Sequence, residues 1–432
     1  MSTKKELKFI DLFAGIGGTR IGFEQATKEL GFIPKCVFTS EIKTDAINVY
    51  SQNFQDKKIA GDITQIEAKE IPDFNFLLAG FPCQPFSSAG SRKGFLDTRG
   101  TLFFDIERIL KEKEPEGFLL ENVEGLVNHD RGRTLSTILQ SLENLGYKVA
   151  WKVINAANHG IPQNRKRIYI VGRRDKFVSL ENLVQQESKL EDLLEKDLPA
   201  YKSKFTKRLL EHYKLDELVG KSIKDKRGGN NNIHSWDIEL KGSVSERQKE
   251  LLNKILTERR KKNWAIRKGI KWMDGMPLTL EEIKSFWDTN LFENTNTLKE
   301  DLEDLVVKGY LKYEYPKDLV EKKDEQGRIH KKREYRRDLE KGYNIVAGKL
   351  SFEVSKILDP KGKAPTLVAT DLSRIFVPDH TGIRRLTERE CLRLFGFPED
   401  FEVNLSENSL FDLLGNTVVV NVIKVVSSRL IQ

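Results

Sequence analysis

The sequence predicts an α/β protein with a doubly wound, mostly parallel sheet and a second, mixed domain. Three observations support this prediction. Short apolar runs alternate with amphipathic stretches from about Lys8 to Arg174. The composition then shifts to lysine- and arginine-rich runs between residues 175 and 369, and it reverts after Thr370. Strands that alternate with helices form parallel sheets, because each helix returns the chain across one face of the sheet.

The first region contains six apolar runs that are predicted as strands. In chain order they are KFIDLF, KCVFTSE, NFLLAGF, GFLLENV, VAWKVINA and RIYIVGRR. A further strand is predicted just before Asp62. Helices are predicted up to Leu30, over TLFFDIERILKE and over RTLSTILQSLENLGY, because their apolar residues recur at helical spacing. Gly31 and Gly146 follow two of these helices, as C-terminal capping glycines do.

The later predicted helices have clearer residue signals for where they begin and end. NTLKEDLEDLVVKGYLKYEY predicts a helix, a turn at Gly309 and a strand. RRLTERECLRLFGFPEDF predicts a helix that Thr387 caps, with Glu390 three residues later as in a capping box, and that ends near Gly396. The last run, NTVVVNVIKVVSSRLI, is ambiguous, since its β-branched residues favour a strand and its position and basic residues suit a helix. We predict a helix that packs onto the first domain.

A chain of 432 residues is longer than one hydrophobic core usually fills. We therefore predict two domains built from three segments. Residues 1–175 form the first domain, residues 176–370 form an inserted second domain, and residues 371–432 return to complete the first.

The net charge of +8 and the isoelectric point near 9.0 favour an acidic partner, most often nucleic acid. Two basic runs stand out in the second domain, ERRKKNWAIRK and HKKREYRR. Such runs are usually a solvated face. Their place in a long insertion beside a catalytic core favours a nucleic-acid clamp.

Other classes of protein are disfavoured by composition. The N-terminus lacks the apolar run of a signal peptide, and no segment reaches the length of a membrane span. The three cysteines are far apart and odd in number, which indicates a reducing cytoplasm without disulfides. The six histidines do not pair with cysteines at metal-site spacing, so we predict no metal.

One cysteine has an unusual setting, in the stretch FPCQPFSSAG. Cys83 lies between Pro82 and Pro85, whose rings fix the backbone and donate no hydrogen bond. Pro85 also pushes Gln84 toward an extended conformation. A rigid turn of this kind suits a nucleophile, although a small buried cysteine at a strand end is the alternative.

The stretch DLFAGIGG follows the first predicted strand and opens a helix. Its glycines let a ligand approach the backbone, although the spacing does not fit G-x-G-x-x-G. Glu41 ends the second strand, where a carboxylate can bind a ribose diol. Asp62 can reach an adenine amine, or it caps a helix. Together these features favour an adenosine ligand.

Two further groups complete the candidate site. The triplet Glu121-Asn122-Val123 ends a central strand, and its carboxylate is either catalytic or part of an ordinary ion pair. Gln163, Arg165 and Arg167 stand at alternate positions, so an extended chain points them to one face. An arginine there can hold a carbonyl, a phosphate or the glutamate.

These motifs, in their order, resemble those of DNA cytosine-5 methyltransferases of the bacterial restriction-modification type. The matching stretches are FAGIGG, SEIKTDA, GDIT, GFPCQPFS, ENVEGL, QNRKRIYIVG, RRLTERECLRLFGFP and LLGNTVVV. They cover roughly half of the chain. The resemblance implies the S-adenosylmethionine-dependent methyltransferase fold, with residues 176–370 as the target-recognition, DNA-binding domain and residues 371–432 as the return and hinge.

The resemblance also implies a mechanism. Cys83 attacks C6 of a cytosine that is flipped out of duplex DNA, and C5 then takes a methyl group from S-adenosyl-L-methionine. Glu121 contacts N3 and the exocyclic amine, and Arg165 lies beside the cytosine carbonyl. The departure from the pattern is Ile42, where related cofactor pockets often have an aromatic residue.

The remaining site residues are implied by position in the motifs. Those assigned to the cofactor are Phe13, Gly15, Gly17, Glu41, Asp62, Ile63, Asn416 and Val418. Those assigned to the base pocket or DNA are Pro82, Gln84, Ser87, Arg99, Asn122, Val123, Gln163 and Arg167. The run from Ser87 to Arg99 matches a loop that closes over the flipped base.

The expected partner is double-stranded DNA, in a bacterial cytoplasm and associated with the nucleoid. We expect a monomer with no obligate protein partner and no membrane, and a cognate restriction endonuclease that acts on the same site. Three alternatives stay open: an RNA cytosine methyltransferase, a nicotinamide or flavin oxidoreductase, and a DNA-binding regulator with an inactive core. The sequence does not indicate which DNA site is recognised, and the loop from Arg227 to His234 is one candidate reader.

Overall fold

The computed structural model describes a chain that divides into two compact units. The first unit comprises Met1–Lys196, Asp359–Ser373 and Leu386–Gln432, and the second comprises Asp197–Leu358 and Arg374–Arg385. The residues described are 5–54, 58–82, 102–225, 228–271, 275–287, 297–323, 329–346 and 352–432.

The first unit is built on a six-stranded sheet. Its strands are β1 (Glu6–Leu12), β2 (Ile33–Ser40), β3 (Phe76–Gly80), β4 (Gly117–Val123), β5 (Lys148–Asn155) and β6 (Lys166–Arg173). Their spatial order is β2-β1-β3-β4-β6-β5, and only β6 runs antiparallel to its neighbours. All six predicted strands and the mostly parallel sheet are confirmed. The carboxyl ends of β1 to β4 meet at one edge, where such sheets bind ligands.

Four helices lie between successive strands of this sheet in the chain. They are α1 (Gly18–Glu29), α2 (Thr44–Asn53), α3 (Leu102–Lys113) and α4 (Arg133–Asn144). Gly31 and Gly146 follow α1 and α4 with φ of 85° and 87°, so both predicted glycine ends are confirmed. The helices bury apolar residues such as Ile106 and Ile138 against the central strands.

The strand predicted before Asp62 is wrong. Ala60 makes a single isolated bridge with Ser40, and Asp62 then begins a short 3₁₀ turn over Ile63–Gln65. Aspartate favours this capping position because its carboxylate accepts backbone hydrogen bonds, and here it does so from Thr64. The interpretation of Asp62 as a cap therefore describes its local conformation.

The second unit is mixed, as predicted. Its helices are α5 (Lys204–His212), α6 (Leu215–Leu218), α7 (Glu246–Glu258), α8 (Lys262–Arg267), α9 (Leu280–Lys284) and α10 (Leu298–Val307). Its strands are β7 (Ser222–Ile223), β8 (Asn232–Ile233), β9 (Leu311–Glu314), β10 (Lys317–Lys323), β11 (Ile329–Tyr335), β12 (Gly342–Ile345), β13 (Lys356–Ile357), β14 (Ile375–Asp379) and β15 (Gly382–Arg385). They form one sheet in the order β15-β14-β13-β7-β8 and two antiparallel pairs, β12-β9 and β10-β11. The helix, turn at Gly309 and strand predicted over NTLKEDLEDLVVKGYLKYEY are confirmed as α10 and β9.

The chain ends in three helices of the first unit, α11 (Glu388–Arg393), α12 (Glu407–Asn416) and α13 (Val420–Ile431). Thr387 and Glu390 form the predicted capping box. The ambiguous last run is a helix, α13, and it packs closely on α1. A Cβ added to Gly22 would lie 2.7 Å from both Ile423 Cβ and the Val420 carbonyl oxygen. Glycine at position 22 therefore permits the close approach of the two helices.

The prediction that no segment reaches the length of a membrane span is wrong for residues Glu407–Ile431, which are together long and apolar enough to cross a membrane. The structure breaks this run into α12 and α13 and buries 61% of its most apolar stretch inside the fold. Helices that form part of the core of a globular unit are buried to this extent and pass the same test of length and composition.

The boundaries of the two units differ from the predicted segments. The first unit extends to Lys196, and Arg374–Arg385 belongs to the second unit. This last stretch forms the β14–β15 hairpin, and β14 pairs with β13. The pairing of β13 with β14 across the predicted boundary at 371 leaves no signal in the local sequence. The roles assigned to the predicted segments stay predictions.

Candidate active site

The glycine turn after β1 is tied to the end of β2 by one carboxylate. The backbone N–H of Gly15 donates to Glu41 Oε2 at 2.7 Å. The N–H groups of Ile42 and Lys43 donate to Glu41 Oε1 at 2.8 and 2.9 Å. Phe13 and Gly15 both have φ of 54°, in the left-handed region of the backbone. The structure thus brings together the predicted loop and the predicted Glu41.

Three residues that sequence reasoning missed, Arg20, Tyr50 and Phe54, pack behind this turn. Gly17 has φ of 88°, and a Cβ added there would lie 2.3 Å from the Phe54 ring. The Arg20 guanidinium lies 4.2 Å from the centroid of that ring and donates to Tyr50 Oη at 3.2 Å. Burial, with the nearby charge of Asp11, raises the pKa of Tyr50 well above its ordinary range. No sequence motif predicts these contacts, because they join α1 to the end of α2 only in the folded chain.

The segment around Asp62 lies against the end of β2. Ser40 Oγ donates to the Gly61 carbonyl at 2.8 Å, and the Glu41 N–H donates to the Ala60 carbonyl at 3.0 Å. The exposed Asp62 carboxylate accepts from the Thr64 N–H and Oγ1, while Ile63 is buried. Glu41 and Asp62 therefore lie on adjacent segments at one edge of the sheet.

The late LLGNTVVV motif reaches the same edge. A Cβ added to Gly18 would lie 3.0 Å from Val418 Cγ2, and one added to Gly80 would lie 3.8 Å from Val418 Cγ1. Val418 therefore lies beside the start of α1 and the end of β3. Asn416 is exposed, and its Nδ2 donates to the Asp412 carbonyl at 2.7 Å.

Glu121 is a buried carboxylate on β4, paired with one arginine. Its side chain is 10% exposed, and the Arg167 Nε lies 3.2 Å from its Oε1. A Cβ added to Gly80, its partner on β3, would lie 3.7 Å from Glu121 Oε2. Burial raises the pKa of Glu121, although Arg167, and less strongly Arg165, favour its ionised form.

Arg165 has a different environment from the predicted one. Its Nη atoms donate to the carbonyls of Leu367, Gly415 and Thr417 at 3.1, 3.1 and 2.6 Å. It is 3% exposed, and burial lowers the pKa of its guanidinium to about 10. These contacts hold distant segments of the first unit together, and the arginine in contact with Glu121 is Arg167.

The expectation of three side chains on one face assumed an extended chain from Gln163 to Arg167. The strand β6 begins only at Lys166, so Gln163 and Arg165 precede it. Gln163 is fully buried, donates to the Leu394 carbonyl at 2.7 Å and accepts from the Leu367 N–H at 3.2 Å. Strand geometry therefore does not govern the first two of these residues.

Asn122 positions the end of β3. Its Nδ2 donates to the Phe81 carbonyl at 2.9 Å, and its Oδ1 accepts from the Val123 N–H at 2.8 Å. Phe81 is buried and the following Pro82 is exposed. Four residues assigned to the site lie outside the part of the chain that the structure describes: Cys83, Gln84, Ser87 and Arg99.

An open cleft of about 510 Å³ lies at the end of β4, a size in the range of small-ligand sites. Its lining residues are Val123, Glu124, Gly125, Asn155, Asn164, Lys166, Arg167 and Thr366. Val123 is 40% exposed here. Arg167 thus borders the cleft and contacts Glu121, so it joins the two features.

Among the described residues, no group of three or more histidine, cysteine, aspartate or glutamate side chains is placed to hold a metal ion.

The raised pKa of Glu121 makes stability depend on pH. The folded chain binds the Glu121 proton more tightly than the unfolded chain does, so stability falls as pH rises from the ordinary value of 4.5 through the raised pKa. Glu121→Gln removes this titration. We expect the unfolding free energy of the wild type to fall relative to Glu121→Gln over this range, in urea unfolding at several pH values. Glu124→Gln, at a side chain that is 52% exposed, is the control; a constant difference for Glu121→Gln would contradict the assignment.

Comparison with known proteins gives consistent matches. A family model described as C-5 cytosine-specific DNA methylase matches residues 7–432. The chain is 54% identical over 438 residues to the Type II methyltransferase M.NlaIV of Neisseria lactamica, with 99% of both chains covered. It is 39% identical over 454 residues to M.BanI of Aneurinibacillus aneurinilyticus, with 99% of this chain and 96% of that protein covered. The crystal structure of the S. pombe Dnmt2 methyltransferase matches with a TM-score of 0.54 at 18% identity and covers 98% of each chain, which indicates a shared fold.

Proposed function

The chain belongs to the family of C-5 cytosine-specific DNA methylases, and from this premise we propose that it methylates C5 of one cytosine within a short site of duplex DNA. The observation that carries the proposal is the buried Glu121–Arg167 pair at the end of β4. It lies beside the strand that leads through Phe81 and Pro82 to Cys83. A buried carboxylate with a raised pKa at such an edge is the kind of group that catalysis uses.

We assign the adenosine part of the methyl donor, S-adenosyl-L-methionine, to the edge formed by β1, β2 and the Asp62 segment. The fit is supported by three features. A Cβ at Gly15 would meet no atom within 4 Å, so the turn is open. Glu41 places a carboxylate beside it, and Ile42 is 70% exposed, as an apolar platform for a ring would be. When bound, the donor supplies the methyl group as part of a sulfonium ion.

The chemistry at the base is assigned to three residues. The Cys83 thiolate adds to C6 of the flipped cytosine, forming an S–C bond and placing electron density on C5. Glu121, which burial keeps protonated to higher pH, donates to N3 and so favours this addition. Arg167 orients Glu121, and it replaces Arg165 as the arginine we place nearest the base. After C5 gains the methyl group, a general base removes the C5 proton. The S–C bond to Cys83 then breaks and the thiolate is released.

The remaining assignments concern partners. We propose that the second unit recognises the target site, because it carries the long basic runs. The relatives named Type II methyltransferases support a restriction-modification setting, with a cognate endonuclease that acts on the same site. We further propose that the protein works as a monomer on DNA in the bacterial cytoplasm, and we predict no metal.

A labelling experiment tests this function. Purified protein with tritiated S-adenosylmethionine should label duplex DNA, and bisulfite sequencing of DNA from an expressing host should place 5-methylcytosine at one recurring site. Total RNA in the same assay serves as the competing substrate. Label only in RNA would favour an RNA methyltransferase, and binding of NAD without any labelling would favour an oxidoreductase. DNA binding without methyl transfer would indicate a regulator with an inactive core.

A further inference from the structure

The second unit contains a two-stranded ribbon with a distinctive composition. β10 and β11 pair over seven residues, from Lys317↔Tyr335 to Lys323↔Ile329, and form a sheet of their own. At about 3.4 Å per residue, the ribbon is roughly 24 Å long. The major groove of B-DNA, about 12 Å wide, admits a two-stranded ribbon of this kind.

The charges of this ribbon are unevenly distributed. The stretch IHKKREYRR, residues 329–337, contains five cationic side chains and one carboxylate. That carboxylate, Glu334, pairs with Lys322 on the opposite strand at 2.6 Å. Lys332 and Arg337 are exposed, and within the described part of the chain no ion pair joins them to a carboxylate. The strand β11 therefore presents a net positive charge to solvent.

The pairing divides the side chains between two faces. Tyr335, Arg333 and Lys331 share one face, because residues two apart on a strand point the same way. Asp318 is on the other face at the base of the ribbon, where it accepts from the Lys271 N–H at 3.0 Å and pairs with Arg336 at 3.6 Å. That face is therefore held against the unit at its base.

The face with Tyr335, Arg333 and Lys331 is exposed, and it also carries Glu321, which lies opposite Lys331 and 3.8 Å from its ammonium group. Tyr335 is 49% exposed, with the Lys317 ammonium 4.5 Å from its ring centroid. Arginine and lysine are the side chains that most often read guanine in the major groove, and tyrosine and lysine commonly bind phosphates. An exposed face with one tyrosine and more cationic than acidic side chains, on a narrow ribbon, has the chemistry and the shape of a DNA reader.

Several basic and aromatic side chains in the other candidate segments of the second unit are engaged within the fold. In ERRKKNWAIRK, Arg259 is 3% exposed and donates to Asn344 Oδ1 at 2.6 Å, and Lys261 pairs with Glu258. In the loop predicted as a candidate reader, His234 stacks on Trp236 at 4.5 Å and bonds to Asp237. Arg259 and His234 therefore serve the core of the unit, and the ribbon is the candidate whose shape also fits the major groove.

We propose that the β10–β11 ribbon enters the major groove of the target duplex, with Arg333 reading a base and Lys332 contacting a phosphate. This inference rests on the proposed function and adds the element that confers site specificity. Arg333 supplies a planar fork that matches the edge of guanine, whereas Lys332, on the opposite face, supplies a point charge.

The test uses the full-length protein and two variants with different expected readouts. The probe is a duplex that carries the site found by bisulfite sequencing with the wild type, compared with a duplex in which that site is scrambled. Arg333→Ala should reduce the preference for the site by about tenfold or more. Lys332→Ala should weaken binding to both duplexes alike and lower the slope of log affinity against log salt by about one.

Controls separate this outcome from misfolding and from failure of the proposed function. Arg333→Lys keeps the charge and should still lose site preference, while Lys254→Ala and Lys284→Ala, at exposed lysines of the same unit, should change neither readout. Thermal unfolding confirms that each variant folds. If the wild type leaves no 5-methylcytosine, the proposed function fails. If it methylates one site and Arg333→Ala retains full site preference, the ribbon assignment alone is overturned.

Discussion

Replacing Cys83 with serine is expected to lower methyl transfer to duplex DNA by more than about 1,000-fold and to leave DNA affinity unchanged. Sulfur is the far better nucleophile near neutral pH, because a few per cent of thiol is already ionised while a serine hydroxyl is not. The first bond to C6 therefore depends on this one atom. Filter-binding and tritium-transfer assays on the same preparation measure the two quantities.

The same substitution controls a trapping experiment. With S-adenosylmethionine and an oligonucleotide that carries 5-fluorocytosine, the wild type should form a covalent adduct, since C5 then has no proton to release and the S–C bond persists. Peptide mapping should locate the adduct at Cys83, and Cys83→Ser should form none. Cys36→Ser is the matched control, because Cys36 lies on β2 and its sulfur contacts Thr39. An adduct at another residue, or full activity of Cys83→Ser, would contradict the mechanism.

Exchanging the two neighbouring arginines for alanine is expected to separate catalysis from stability. Arg167→Ala removes the partner of Glu121, which then protonates or shifts within its buried site. We expect kcat to fall by about 100-fold, because Glu121 is then no longer oriented toward N3 and a positioned general acid contributes about 100-fold or more. The thermal midpoint should change little, because Glu121 without its arginine partner can take up a proton and so leaves no unpaired buried charge.

Arg165→Ala should have the opposite profile. It leaves the carbonyls of Leu367, Gly415 and Thr417 without their donor, and each buried unpaired carbonyl costs about 1–3 kcal/mol. We expect a fall in unfolding free energy of several kcal/mol and a lower thermal midpoint. Activity per folded molecule should decline less than for Arg167→Ala. If Arg165→Ala instead lost kcat at an unchanged midpoint, Arg165 would be the residue nearest the base.

Local patterns determined much of the first unit. All six strands of its sheet, the glycine ends of α1 and α4, and the capping box at Thr387 follow from residues within a few positions of each other. Such features depend on side-chain spacing and backbone preference, both of which are visible in the linear chain. The order of the motifs likewise indicated the family, which the full-length comparisons support.

The tertiary structure decided the features that depend on residues far apart in the chain. In the folded chain Asp62 caps a short turn and does not end a strand, and Arg374–Arg385 belongs to the second unit. The Arg165 guanidinium donates hydrogen bonds to three carbonyls that are distant in the chain. Arg167 on β6 forms an ion pair with Glu121 on the neighbouring strand β4. The sequence by itself determined which residue types bring the chemistry, because motif spacing is local. Only folding decided which of two equivalent arginines meets the buried carboxylate, because that choice depends on where β6 begins and on carbonyls more than 200 residues away.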